Sequence, residues 1–228
     1  MKKPLALSLL KKKARDFAII MSRRNLPDLF GVTDGKAVGT YVEHAFQKYL
    51  RSRFIYEAGS SASGIDFPTL EVDLKVTSIR QPQSSCPFKS ASQKVYGLGY
   101  HLLVFVYDKK DNNAKKTARL KFLNVVFVDK EHTADYQTTR GILDILARDG
   151  NLDDVKAYFE ERNLPLEEIG RNDLAQRIFN DHPKLGYLTI SNALQWRLQY
   201  NRIVSIANAG GNEGVENLYS SQQSGIRP

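Results

Sequence analysis

The chain has 228 residues, of which 42% are hydrophobic and 25% charged, so it has room for one sizeable core. Its net charge of +8 favours a polyanionic partner, because lysine and arginine neutralise phosphates in nucleic-acid binding. The single cysteine, Cys86, excludes a disulfide framework and fits a reducing cytoplasm. Three lysines at 11–13 interrupt the apolar N-terminus, and no run is long enough for a bilayer, so we expect neither a signal peptide nor a membrane segment.

Two amphipathic helices are predicted in the first quarter of the chain. The first covers residues 4–24 and is strongly basic, which leaves two interpretations: an arm that contacts phosphates, or a solvated helix face. Its predicted apolar side consists of Leu5, Leu9, Phe17, Ile20 and Met21. The second helix covers residues 36–53 and places Glu43 at the border of its buried face, three residues before Phe46. A carboxylate at such a border rarely lacks a partner.

Residues 64–78 hold two acids and a lysine at a spacing that suits metal-dependent phosphodiester chemistry. Apolar and polar side chains alternate from Leu70 to Thr77, which predicts a strand with one face in a core and the other carrying Asp73 and Lys75. Pro68 predicts a turn around Thr69 and Leu70, which would place Asp66 directly opposite Asp73.

Opposed like charges in a strand pair are destabilising unless something neutralises them. Magnesium is a suitable counter-ion, because it takes carboxylate oxygens and keeps waters and phosphate oxygens as its other ligands. Glu71 lies on the same predicted strand face and is the alternative to Asp73 as the second acid.

Gly64-Ile65-Asp66, followed by Asp73-Leu74-Lys75 and preceded by a helix with Glu43, resembles the PD-(D/E)xK nuclease superfamily, specifically its type II restriction endonucleases. The resemblance covers about residues 35–108. It implies a restriction-endonuclease-like α/β core in which a mixed sheet is flanked by helices. It also implies that Glu43, Asp66, Asp73 and the Leu74 carbonyl bind one or two Mg²⁺ ions, for which Mn²⁺ can substitute. Lys75 would help to place the attacking water, and the products would carry 5′-phosphate and 3′-hydroxyl ends.

The rest of the core is predicted from a buried run and a hairpin. Residues 100–107 are almost wholly apolar, as in a central strand covered on both faces, and residues 120–128 pair back on it. With a helix starting at 90–96, these strands complete a catalytic domain over residues 1–130. The resemblance also implies that Gln93 and Lys94 head towards the catalytic face, where they would contact DNA.

Residues 131–208 are predicted to form a helical extension, with helices near 138–147, 152–161 and 166–180. Residues 182–212 contain no acid, and a helix over 189–203 would carry amides and arginines that pair with bases in the major groove. The alternative is a solvated face made of amides. The predicted DNA contacts of this segment are Asn192, Gln195, Arg197, Gln199 and Arg202. Residues 209–228 are predicted to be a flexible tail.

The prediction for the whole chain is a cytoplasmic, sequence-specific endonuclease that cuts double-stranded DNA as a homodimer, since two cuts need two sites. Three alternatives stay open. A structure-selective nuclease would cut without regard to sequence, and a DNA-binding protein on an inactive scaffold would bind without cutting. A surface ion-pair cluster around Lys75 would give no salt-dependent DNA affinity.

Overall fold

The computed structural model describes residues 2–59, 64–86, 89–191 and 196–221. The strands in these residues are β1 (Lys3–Pro4), β2 (Phe54–Ile55), β3 (Val72–Ser78), β4 (Gln83–Cys86), β5 (His101–Asn112), β6 (Thr117–Val128), β7 (Thr189–Ile190), β8 (Trp196–Gln199) and β9 (Val215–Ser220). The α-helices are α1 (Leu7–Ser22), α2 (Gly35–Arg51), α3 (Gln93–Tyr96), α4 (Tyr136–Ala147), α5 (Leu152–Glu161), α6 (Glu168–Asn180) and α7 (Asn201–Asn208). None of these helices is long and apolar enough to span a bilayer.

A mixed four-stranded sheet with the order β3-β5-β6-β9 forms the centre of the molecule. β3 runs parallel to β5, and the other neighbours are antiparallel, so the predicted mixed sheet is confirmed. Residues 102–107 of β5 are buried on both faces, as their apolar run predicted. β3 is an edge strand of this sheet, which leaves one side of it open for the site described below.

Helices α1 and α2 cover one face of the central sheet. Rings from three elements meet there: Phe17 of α1 lies 5.0 Å from Phe46 of α2, which lies 5.3 Å from Phe105 of β5, between ring centroids. Burying such a side chain stabilises the fold by roughly 2–3 kcal/mol. The predicted apolar side of α1 is only partly right, because Leu9 is half-buried and Ile20 is 39% exposed, while Leu10 and Ala14 are buried.

The opposite face of the sheet is covered by α7 and by a small three-stranded sheet with the order β4-β8-β7. Leu198 of β8, Tyr200 directly before α7 and Ile203 of α7 are fully buried against Val104 and Val126 of the central sheet. Helices α4, α5 and α6 form the predicted helical extension and pack with α3 around a separate apolar cluster that includes Ile142 and Phe159.

Two predictions for the C-terminal part of the chain are wrong. The helix expected over 189–203 is replaced by β7, β8 and the start of α7, because the segment from Trp196 to Tyr200 alternates and pairs with β4. The tail expected from residue 209 is also structured as far as Ser221, since β9 pairs with β6 in the central sheet. Consequently β7, β8, α7 and β9 pack on the central sheet or belong to it, and only α4, α5 and α6 form a separate extension.

Candidate active site

A tight hairpin brings Asp66 and Asp73 together at the start of β3. Phe67 and Val72 exchange both backbone hydrogen bonds across a turn of 3₁₀ helix, so Asp66 lies opposite Asp73 as the sequence predicted. The Leu74 backbone N–H donates to Asp66 Oδ2 at 2.8 Å and thereby orients that carboxylate. The side chain of Phe67 is buried, with its ring centroid 6.3 Å from that of Phe46, and this contact anchors the hairpin beneath α2.

The segment before the hairpin approaches it very closely. The Gly59 N–H donates to the Asp66 carbonyl at 2.9 Å. A Cβ atom at Gly59 would lie only 1.8 Å from the Ile65 carbonyl oxygen, so only glycine fits there without displacing the backbone. The close approach is therefore between this segment and the backbone that carries Asp66.

Glu43 reaches the same place from α2. Asp34 caps the helix by accepting a hydrogen bond from the Lys36 N–H at 2.9 Å, and the helix crosses β3 with Gly39 next to Val76. Glu43 lies one turn beyond Gly39 on the same face of the helix. Its half-buried carboxyl hydrogen-bonds with Asp66, so the three acids predicted from the sequence converge.

The electrostatics of the acid cluster favour protonated carboxyls when no cation is present. Burial, then a hydrogen bond with Asp66 and the repulsion of its charge, raises the pKa of Glu43 to about 7. Burial also raises the pKa of Asp73 to about 7, with Lys75 opposing the shift and Asp66 adding to it. Lys75 Nζ lies 2.6 Å from Asp73 Oδ2, yet that buried oxygen accepts no hydrogen bond of good geometry. Among the described residues, no three potential ligands already surround a space for a metal ion.

Glu71, the alternative to Asp73, lies outside this cluster. It occupies the left-handed position that ends the hairpin turn, with φ of 52°, and its carboxylate accepts a hydrogen bond from Lys130 Nζ at 2.6 Å. The predicted alternation therefore starts at Val72 and not at Leu70. From Val72 to Thr77 it holds, because Val72 and Leu74 pack beneath the helices while Asp73 and Thr77 face the other way.

Glu43 of the acid cluster and the neighbouring Lys75 line a cleft of about 1120 Å³ along the open edge of β3, and Asp66 and Asp73 lie next to it beneath its surface. The N-terminal half of α2 forms one wall, and β4 with Arg197 of β8 forms another. The cations that line the cleft are Lys36, Lys75, Arg80, Lys109, Lys110 and Arg197, and its lining acids are Glu43 and Asp111. Four of these cations were not singled out from the sequence, because the cleft assembles them from separate segments of the chain.

The residues predicted to contact DNA are distributed unevenly relative to this cleft. Arg197 lines it, and Gln199 lies two residues further along the same strand, whereas Asn192 and Gln195 lie outside the described residues. Arg202 is stacked on Tyr136, with its guanidinium carbon 3.5 Å from the ring centroid.

Gln93 and Lys94 are buried, against the expectation that they face DNA. Gln93 accepts a hydrogen bond from the Lys89 N–H at 3.1 Å. Burial lowers the pKa of Lys94, and the nearby Asp135 carboxylate opposes this shift. Both residues therefore contribute to the packing of α3 in this structure.

The basic helix α1, all of whose residues are described, contributes no residue to the lining of the cleft. Lys11 pairs with Glu216 and Lys13 with Asp16, and the helix packs on β6 and β9. This placement favours the interpretation of a solvated helix face over that of an arm that contacts phosphates.

Three carboxyls and a lysine beside a basic cleft are typical of an enzyme that acts on a polyanion. Comparison with known proteins places this enzyme in a family. The family model described as "Type II restriction enzyme NspV" matches residues 4–217. The Type II restriction enzyme NspV of Nostoc sp. (strain ATCC 29411 / PCC 7524) is 54% identical over 215 residues, which cover 94% of this chain and 97% of that protein. The chain therefore belongs to the NspV family of type II restriction enzymes, which are site-specific deoxyribonucleases. No solved structure matches it significantly.

Proposed function

We propose that this protein is a Mg²⁺-dependent, sequence-specific endonuclease that hydrolyses both strands of double-stranded DNA with a PD-(D/E)xK active site. The observation that carries the proposal is the convergence of Glu43, Asp66 and Asp73 beside Lys75 at the edge of a basic cleft. Membership of a restriction-enzyme family supports the site-specific cleavage of DNA.

The donor set fits magnesium. All three side chains offer hard oxygen atoms, and a bound cation would stabilise the charged forms of the Glu43 and Asp73 carboxyls, whose pKa values burial raises to about 7. The Leu74 carbonyl is a suitable further ligand: the N–H and C=O of a strand residue point to the same side, and the Leu74 N–H points to Asp66. One or two ions would suit this set, and Mn²⁺ has similar ligand preferences.

Each residue of the site has a distinct part in the proposed mechanism. Asp66 and Asp73 would hold the cation from the two arms of the hairpin, and Glu43 would complete the carboxylate set from α2. Bound magnesium supplies an activated water and neutralises the charge that develops on the leaving oxygen. Lys75 donates hydrogen bonds that orient the water or a phosphate oxygen. The oxygen of the water bonds to phosphorus while the bond to the 3′ oxygen breaks and that oxygen gains a proton, which leaves 5′-phosphate and 3′-hydroxyl ends.

Plasmid digestion tests the proposal. With Mg²⁺ we expect discrete fragments, and with Ca²⁺ we expect retarded but uncut DNA. Asp73→Asn removes one cation ligand and should lower the cleavage rate by at least about 100-fold while binding is retained. Glu71→Gln is the matched control, because it neutralises an acid two residues away that pairs with Lys130, and it should cut at close to the wild-type rate.

Each alternative has its own outcome in the same digestion. Cleavage that depends on junctions or gives a smear would indicate a structure-selective nuclease. Retardation without cutting in Mg²⁺ would indicate a DNA-binding protein on an inactive scaffold. Cleavage by Asp73→Asn at the wild-type rate would contradict the assigned site.

The proposed double-strand cut also requires two active sites. A twofold dimer supplies them on opposite strands of a palindromic sequence. We therefore expect a mass of two chains in sedimentation of the complex with a short duplex, and a single chain per duplex would contradict the dimer.

A further inference from the structure

The small sheet β4-β8-β7 has two chemically distinct faces. The side chains of two directly paired residues in an antiparallel strand pair lie on the same face of the sheet. Gln83 pairs with Gln199, and Ser85 pairs with Arg197. These four polar side chains therefore share one face. Leu198, between the two β8 residues, points to the other side and is fully buried, as is Ile190 of β7. The small sheet thus packs on the core with one face and presents amides, a hydroxyl and a guanidinium on the other.

Three of the four residues of the polar face form one wall of the cleft that Glu43 also lines. Gln83, Ser85 and Arg197 line the cleft together with Lys75, and both Ser85 and Arg197 are exposed. β4 follows β3 directly, through a short connection that Thr77 braces by accepting a hydrogen bond from the Gln83 N–H at 3.0 Å. The polar face is therefore held in a fixed position relative to the acids, a few residues along the chain from Lys75.

We infer that the β4–β8 strand pair is the element that reads base sequence, entering the major groove with Arg197 and Gln199 as its base-contacting residues. A two-stranded ribbon fits that groove, arginine pairs bidentately with guanine, and glutamine pairs bidentately with adenine. The inference rests on the proposed function, and it assigns the sequence specificity of that function to particular residues.

The division of charges within the cleft supports a reading role over general phosphate binding. Lysines are concentrated on the other walls, where Lys36 belongs to α2, and Lys109 and Lys110 to β5. On the polar face the only charged side chain among the four residues is Arg197. Phosphate contacts position a protein on DNA, whereas amides and bidentate arginine discriminate between bases.

Sequencing the ends of digested random-sequence DNA gives the base preference at each position around the cut and needs no known site. For Arg197→Ala we expect the preference for guanine at one position of each half-site to fall about 10- to 100-fold, with the other positions unchanged. Gln199→Ala should relax a different position, at an adenine. Arg197→Lys keeps the charge but loses the bidentate geometry, so it should relax the same position as Arg197→Ala.

Lys110→Ala is the matched control, since it removes a cleft cation with an 80% exposed side chain outside the small sheet. It should slow cleavage of all sequences alike. The inference fails if Arg197→Ala and Gln199→Ala keep the wild-type preference at every position, or only slow cleavage uniformly as Lys110→Ala does. Failure of the proposed function is distinguishable, because the wild-type protein would then give no discrete cuts in Mg²⁺. Thermal melting confirms that each variant is folded.

Discussion

Asp73 and Glu43 carry a pH dependence of stability that can be measured in metal-free protein. Their pKa values are raised to about 7 from ordinary values of 3.8 and 4.5, so between those limits the folded state holds protons that the unfolded chain releases. Stability therefore falls as pH rises through this window. In EDTA we expect a melting temperature a few degrees lower at pH 8 than at pH 5, and Asp73→Asn should reduce this difference.

The exposed acid Glu71 provides the control for that pH series. Lys130 lowers the pKa of its carboxyl, so the contribution of Glu71 to the pH dependence of stability has the opposite sign. Glu71→Gln removes this contribution and should not reduce the difference between the melting temperatures at pH 5 and pH 8. If Asp73→Asn showed the same pH dependence as the wild-type protein, the Asp73 carboxyl would not be protonated in the folded state near neutral pH.

Gly59 makes the position of Asp66 sensitive to a single methyl group. In Gly59→Ala the new Cβ would overlap the Ile65 carbonyl, so the backbone on both sides must shift, and Asp66 shifts with it. A displacement of about 1 Å at a catalytic centre can cost about 100-fold in rate, which is the loss that we expect in plasmid cleavage. Gly170→Ala is the control, because its Cβ would meet only Leu166 Cδ2 at 3.7 Å and should leave cleavage unchanged.

At the scale of single residues, the sequence predicted contacts that follow from local geometry. Pro68 and the alternation after it were sufficient to place Asp66 opposite Asp73, because a hairpin register depends on few residues. The burial of Lys94 was not predictable in the same way. Its helix has only four residues, too few for a period that would identify the buried face, and the burial results from packing against α4.

At the scale of elements, long periodic segments were predicted well and short ones were not. α2 agrees closely with its predicted range, because its helical pattern repeats over several turns, whereas β5 continues to Asn112, five residues beyond its predicted end. The polar positions around β8 fit both a helical stripe and a strand alternation, and pairing with β4 decides between them. β9 was missed because a bulge opposite Val125 and Val126 interrupts its alternation after two glycines that indicate a loop.

The membership of β9 in the central sheet has a consequence for stability. Tyr219 is 5% exposed and packs into the core beneath α1 and α2, so Tyr219→Ala should destabilise the protein by about 3 kcal/mol in urea unfolding. Glu216→Ala, on the same strand, removes only a surface ion pair with Lys11 and should cost less than about 0.5 kcal/mol. Equal effects of the two substitutions would contradict the packing of β9.

At the scale of the whole molecule, the cleft was the feature that sequence reasoning could not assemble. Its walls come from α2, β3, β4, β5 and β8, whose order in space depends on the sheet topology. The net charge of +8 indicated a polyanionic partner, and the basic N-terminal helix was open to two interpretations, whereas the structure places a basic cleft on other elements. Charge counted along a chain therefore does not locate a binding surface.

The two basic surfaces make different predictions for the salt dependence of DNA binding. Each phosphate contact contributes about −0.9 to the slope of log affinity against log salt concentration, because it releases counter-ions. In Ca²⁺, which allows binding without cleavage, we expect Lys110→Ala to make the slope shallower by about 0.9. Lys12→Ala removes an equally charged exposed lysine from α1 and should leave the slope unchanged. If Lys12→Ala made the slope shallower and Lys110→Ala left it unchanged, the phosphate contacts would lie on α1. That result would support the interpretation of α1 as an arm that contacts phosphates.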